Sequence, residues 1–326
     1  MGIPFYRKVL VPGCMSIQNT FFTVGKHRKI YLEDEFKDKI KKVKFSSLDT
    51  KEILKKYKIE KHDECYCKIK LAELQSDLLD EVYDTPIFDA PQFGGNIAGG
   101  ICSRILFDSP LDVKIPTKVV EDMWWTPYSL ESLMTGDIDV FFNNAKRAKE
   151  YIQYLNNYAS LCEVDEKGYG GKWGINYTGQ FHKSEDKKYK IQVITRTKKE
   201  DDSPIKDVRG FMDVFDLSAS KMFIEDDYIY MHKLAFAGLL KNKLIASSFN
   251  SVSSFARRVV KYMALYGYDE VDISDIPMLL DEPNNLTFLK LQMKNIVNPM
   301  NEVLNEVIRQ DEEGDMDVID WYGRGG

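Results

Sequence analysis

The sequence predicts an α+β protein, a small mixed-sheet core followed by a C-terminal helical part. Two observations carry that reading. Short strand-like segments recur through the first two thirds, at residues 64–71, 137–142, 188–197 and 215–224, with helix-like stretches between them. From residue 233 onward the apolar spacing is helical: KLAFAGLLKNKL, SSFARRVVKYMALYGY, DISDIPMLLDE and LTFLKLQMKNIVNPMNEVLNEVIRQ.

The elements follow in chain order. Residues 1–30 read as extended. Residues 33–59 read as one or two short, Lys-rich amphipathic helices, with Leu48-Asp49-Thr50 as the cap before KEILKKY. Residues 64–71 read as a strand and 72–83 as a helix. Residues 86–107, PIFDAPQFGGNIAGGICSRILF, combine two prolines and four glycines with a short apolar run. Backbone that rich in glycine is entropically costly and marks a sharp turn or a close approach to a ligand. Residues 108–135, with Pro110, Pro116, Trp124, Trp125, Pro127 and Tyr128, read as an insert. A turn at Thr135-Gly136 then feeds a strand. Residues 143–162 form a helix capped by Asn143 or Asn144. Residues 167–183 read as a Gly- and aromatic-rich loop, 188–197 as a strand, and 204–213 as a short helix opening at Pro204. Residues 215–224 and YIYMH form a hairpin turning through Glu225-Asp226-Asp227. The predicted organisation is an N-terminal Lys-rich region at 1–85, either set apart from the core or packed on it. A core at 86–230, a helical domain at 231–310 and an acidic tail at 311–326 follow.

Composition narrows the function. The chain has 326 residues, 44% hydrophobic and 29% charged, as in an ordinary globular protein. No run approaches the roughly 18 apolar residues of a membrane helix, and the N-terminus lacks the pattern of a secretory signal. Five scattered cysteines suit a reducing compartment, so a cytoplasmic location is expected. Cys65 and Cys67 alternate onto one strand face, but only His62 lies near enough in sequence to join them as a metal ligand. The net charge of −6 argues against a dedicated duplex-DNA binder. Residues 26–70 carry 15 Lys/Arg against 9 Asp/Glu, either a solvated lobe or a face for RNA. Residues 301–326 carry 8 Asp/Glu against 2 Arg. There is no G-x-x-x-x-G-K-[ST], H-E-x-x-H or G-x-S-x-G motif, and the four histidines are dispersed.

One constellation carries chemistry. Asp137 and Asp139 flank Ile138 on one strand, and alternation projects both carboxylates from one face. Side by side they repel unless a cation sits between them. Mg²⁺ takes such hard oxygen ligands together with substrate phosphates. Gly99-Gly100 opens a helix, whose N-terminal amides form an anion site. Asp216, expected on a strand within Phe215-Asp216-Leu217, adds a third acid for a site of two metal ions. Asp213 is a rival for that role, and Gly94-Gly95 is a rival phosphate loop.

The ordered set resembles the polymerase-β-like nucleotidyltransferase superfamily. It is distantly similar to the heads of tRNA CCA-adding enzymes and poly(A) polymerases, and more specifically to nucleotidyltransferases encoded by viruses and phages. The elements are Ala98-Gly99-Gly100 with Ser103, Asp137-Ile138-Asp139-Val140-Phe141-Phe142, Ile191-Gln192-Val193-Ile194, Phe215-Asp216-Leu217-Ser218, and Arg258-Val259-Val260-Lys261-Tyr262 before Gly267-Tyr268. They span about 95–270. The resemblance implies a nucleotidyltransferase core. In it Asp137, Asp139 and Asp216 are catalytic and hold Mg²⁺ or Mn²⁺, with Asp216 also a possible base for the acceptor hydroxyl. Gly99, Gly100, Ser103, Arg258 and Lys261 contact the nucleotide. Tyr262 and Tyr268 are either base-stacking or core residues. The implied reaction moves a nucleoside monophosphate from a nucleoside triphosphate to an acceptor hydroxyl, RNA or tRNA favoured, and releases pyrophosphate. The alternatives are a non-catalytic viral binding or structural protein on the same fold, and a toxin-like enzyme that modifies protein. The 37-residue step from Gly100 to Asp137 departs from the short spacing of the superfamily, so the insert must loop out for the site to assemble.

Overall fold

A computed structural model describes residues 22–25, 28–113, 133–157, 162–166, 176–182, 188–195, 207–248, 251–276 and 283–313. Most of residues 1–30, most of the insert with Trp124, Trp125 and Tyr128, most of the 167–183 segment, and the tail from 314 on lie outside the described residues.

The fold is α+β, built on a mixed nine-stranded sheet. The first part holds strands β1 (Phe22–Gly25) and β2 (Lys29–Leu32), helices α1 (Asp34–Val43) and α2 (Thr50–Lys56), strands β3 (Glu60–Lys61) and β4 (Tyr66–Lys70), and helix α3 (Asp77–Tyr83). The expected cap is present: the Asp49 carboxylate accepts from the Lys51 and Glu52 amides, and Glu52 returns the bond to the Asp49 amide. Helix α3 starts later than the apolar pattern indicated, because Leu71–Glu73 forms a separate 3₁₀ turn and Ser76 provides the cap.

The centre follows the expected order. The Pro- and Gly-rich stretch folds as a 3₁₀ segment, Pro86–Phe93, ended by Gly94 at φ 76°. Strand β5 (Gly95–Ala98), helix α4 (Gly100–Phe107), strand β6 (Ile138–Phe142) and helix α5 (Ala145–Asn157) come next. Asn144 caps α5, its Oδ1 accepting from the Lys146 amide at 2.8 Å. Strands β7 (Cys162–Glu166), β8 (Asn176–His182) and β9 (Lys188–Thr195) lead to the short helix α6 (Val208–Met212), opened by Asp207 rather than at Pro204.

The strand expected over 215–224 is shorter than its pattern. Ser218–Ser220 is a 3₁₀ turn, and strand β10 covers only Met222–Glu225. Ser218 spends its hydroxyl on the Ile245 amide, which suits a turn and not a ladder. Asp226 and Asp227, both at positive φ, make the predicted hairpin to β11 (Tyr228–His232).

The C-terminal part is not wholly helical. Helices α7 (Lys233–Lys241), α8 (Val252–Tyr266) and α9 (Pro283–Glu312) are present. Between them lie β12 (Lys243–Ile245) and β13 (Glu270–Asp272), in the segments read as helix. These pair in parallel with each other, and β13 pairs with β2 to make a second sheet in the order β1-β2-β13-β12. Three-residue strands leave almost no period to detect. One buried cluster runs from Ile30 to Val307 through the first three predicted regions.

The large sheet has the order β3-β4-β11-β10-β5-β6-β9-β8-β7. Alternation sorts its centre. Ile97, Ile138, Val140, Phe142, Ile191 and Val193 point into the main core. Ala98, Asp139 and Gln192 stand opposite one another on the other face, with Phe141 and Ile194 beyond them. There Phe141, Ile194, Phe223 and Tyr230 form a smaller cluster under Val208, Phe211 and Met212 of α6.

Candidate functional site

An open cleft of about 330 Å³ lies where β5 ends and β6 and β9 begin. It gathers Gly100, Asp137, Asp139, Asp216, Arg258 and Lys261. Six of the residues singled out from sequence thus converge from four separate segments.

Local backbone chemistry places each one. β5 turns into α4 through Gly99 at φ 88°, a conformation that L side chains avoid. A Cβ on Gly99 would stand 3.2 Å from the Phe215 ring and 3.4 Å from Asp139 Oδ2, so the glycine keeps the space beside the carboxylate open. Helix α4 starts without a side-chain cap, and its first residue, Gly100, lines the cleft. The rival pair serves otherwise: Gly94 ends the 3₁₀ segment, and Gly95 gives room to the Phe142 ring.

Asp137 and Asp139 are both half-buried. Gln192 donates its side-chain amide to Asp137 Oδ2, and Lys190 Nζ stands 3.6 Å from the same oxygen. The β6–β9 register explains this, because Gln192 is the direct partner of Asp139 and projects on its face.

Asp216 reaches the cleft from an irregular segment, not from the strand expected of it. Its backbone carbonyl accepts from the Ser247 amide at 2.9 Å. Its buried carboxylate is held by Arg258, with Nε at 3.1 Å from Oδ1 and 2.8 Å from Oδ2, and Nη2 at 2.5 Å from Oδ2. Arg258, expected at the nucleotide, is therefore committed first to this carboxylate. Asp213 is exposed and does not line the cleft.

Lys261 lies one helical turn past Arg258 and donates to the Thr135 carbonyl at 2.7 Å. Burial, with the neighbouring Arg104 charge, pushes its ammonium down to about 7, while Asp137 and Asp139 pull the other way. Ser103 is a correction. It is fully buried, donates to the Ala219 carbonyl and does not line the cleft. Its place on the second half-turn of α4 turns it toward the packed side. Tyr262 and Tyr268 have their rings in the core, Tyr262 stacked on Tyr266 and Tyr268 set edge-on to Phe107. Base stacking by those rings is thereby excluded in this arrangement.

Sequence reasoning missed Arg104. It is 2% exposed, lines the cleft floor, and donates to the carbonyls of Pro110 and Met134. Burial lowers its pKa. Those carbonyls flank the two ends of the insert, which are also tied by the Gly136 amide to the Leu111 carbonyl at 2.7 Å. The insert leaves and returns at one place, which resolves the long Gly100-to-Asp137 spacing. The available signal was one arginine inside the apolar run GICSRILF.

The donor set suits a hard divalent ion in part. Asp137 and Asp139 offer carboxylate oxygens on one face with space held open beside Asp139, and Mg²⁺ needs only one or two carboxylates with substrate phosphates. Among the described residues, no group of three or more His, Cys, Asp or Glu side chains is placed to hold a metal ion. Cys65 is exposed and Cys67 half-buried, consistent with free thiols. Among the described residues no helix is long and apolar enough to cross a membrane. No protein-family model matches the chain, and no curated protein sequence matches it.

Proposed function

We propose that the chain is a metal-dependent nucleotidyltransferase that moves a nucleoside monophosphate from a nucleoside triphosphate to an acceptor hydroxyl, with RNA, tRNA included, the favoured acceptor. The observation that carries this reading is the convergence in one cleft of a glycine-opened helix start, two aspartates at the start of β6, and the basic side chains of Lys261 and Arg258. Phosphoryl transfer asks a protein mainly for positioning and electrostatic stabilisation, and this cleft is built of such groups.

Asp137 and Asp139 would hold Mg²⁺ or Mn²⁺. When bound, the ion neutralises the triphosphate and lowers the pKa of the attacking hydroxyl. The α4 amides and Lys261 orient the phosphates. Gln192 and Lys190 fix Asp137. Asp216 acts through Arg258: the pair anchors α8, and with it Lys261, against the carboxylates. Phe141, Ile194, Val214 and Phe215 form the apolar side of the cleft.

A second reading, a non-catalytic binding protein on the same scaffold, draws on one observation: Asp216 is neutralised by Arg258 rather than grouped with the other two acids. The experiment that separates the two is incubation with each of four α-labelled nucleoside triphosphates, Mg²⁺ or Mn²⁺, and a pool of RNA and protein. Label on RNA supports the first reading. Label on protein would replace its acceptor, and no label under any condition would favour the second.

A further inference from the structure

Tyr262 presents its two ends to different environments. Its ring packs on Tyr266, and the residue is 7% exposed, yet it lines the cleft. Its hydroxyl stands over the start of α4, because a Cβ on Gly100 would lie 3.2 Å from that oxygen. Ser220, 3% exposed and also in the cleft wall, donates to the Tyr262 hydroxyl oxygen at 2.8 Å.

Two hydroxyls share this one hydrogen bond. Each carries one proton, and a single bond uses one of the two. With Ser220 as the donor, the phenolic proton of Tyr262 is the one left over, and among the described residues Tyr262 has no second hydrogen bond. A donor that is nine-tenths buried and left unused is costly unless a ligand takes it. Asp137, Asp139 and Asp216 line the same cleft, while on the side of the hydroxyl the start of α4 carries no side-chain cap and Lys261 is on the same helix as Tyr262. The missing partner is an acceptor, and a phosphoryl oxygen at the start of α4 fits that place.

We propose that the Tyr262 hydroxyl, oriented by Ser220, is a donor to a phosphoryl oxygen bound at the start of α4. Tyr262 thus joins α8 to the phosphate site through its hydroxyl alone. Gly100 is glycine because a side chain there would crowd that hydroxyl. The inference rests on the phosphate-binding part of the nucleotidyltransferase reading and does not need transfer to occur.

The test is calorimetric titration of the full chain with inorganic tripolyphosphate in Mg²⁺, comparing wild type, Tyr262→Phe and Ser220→Ala. Tyr262→Phe keeps the ring but leaves the buried Ser220 hydroxyl unpaired, so its melting temperature is expected to fall by a few degrees, and the titration is run well below it. Its affinity is expected to fall about ten-fold, the scale of one hydrogen bond to a charged group. Ser220→Ala keeps the phenolic proton and is expected to lose less. Equal affinity of wild type and Tyr262→Phe, or no binding by wild type, would overturn the assignment. A wild type that binds tripolyphosphate through Tyr262 but transfers no label would leave this inference standing and remove the transferase reading.

Discussion

Arg258 grips Asp216 through two nitrogens, Nε at 2.8 Å and Nη2 at 2.5 Å from the same carboxylate oxygen. Asp216 is 5% exposed, so its charge has little help from water. The pair ties α8 to the segment after α6, and with it the two halves of the cleft.

Removing one partner should show that dependence. Arg258→Ala leaves a buried carboxylate uncompensated and is expected to cost about 3 kcal/mol in urea unfolding. Arg258→Lys should recover only part of the loss, since an ammonium cannot reproduce the two-pronged contact. A loss under about 1 kcal/mol for Arg258→Ala would mean that the pair contributes as weakly as an exposed one.

Gly136 has a steric reason to be glycine. A Cβ there would meet Arg104 Nε at 2.6 Å and Leu111 Cδ2 at 2.9 Å. Arg104 cannot yield without giving up its bonds to the Pro110 and Met134 carbonyls. Gly136→Ala is expected to destabilise the fold by about 1–3 kcal/mol, as overpacking does. Thermal melting checks it, and an unchanged midpoint would contradict the packing described at the base of the insert.

Much of the site was readable because its parts obey short periods. Asp137 and Asp139 share a face by alternation alone, and Gly99-Gly100 marks a turn that only glycine makes easily. Asp216 is legible as an acid of the site but not in its local structure: its apolar neighbours resemble a strand, and Ser218–Ser220 turns the chain. Ser103 fits the motif, but helical geometry turns it inward. Arg104 was invisible because its burial depends on carbonyls at both ends of an insert, which no local pattern records. The β12 and β13 strands are missed because three residues carry no usable period, and the pairing of β13 joins residues 29–31 to 270–272. The order of the large sheet arises from such long-range pairing throughout.

Lys261 makes stability depend on pH in a definite direction. Its ammonium titrates at about 7 in the fold against 10.5 when free. Between those values the unfolded chain holds the proton that the folded chain has released, so this residue makes stability rise with pH from about 7 toward 10.5. Below about 7 the burial penalty is present in full. Denaturation of wild type and Lys261→Met from pH 6.5 to 9.5 should show the rise in the wild type alone. Parallel curves would contradict the placement of Lys261.

Metal binding should stabilise the fold through the strand pair. At 100 times its dissociation constant, a bound ion adds about 2.7 kcal/mol. Mg²⁺ or Mn²⁺ is expected to raise the melting temperature of wild type, and to raise that of Asp137→Asn or Asp139→Asn less or not at all. Equal shifts in all three proteins would place the ion elsewhere.

The most direct test of the central claim compares the fate of two labels in one reaction. Nucleoside triphosphate labelled at either the α- or the γ-phosphate is offered with Mg²⁺ and cell RNA, to wild type and to Asp139→Ala. The account predicts α-label on the RNA, γ-label in released pyrophosphate, and neither with Asp139→Ala. Transfer of the γ-label, or transfer that survives Asp139→Ala, would contradict it.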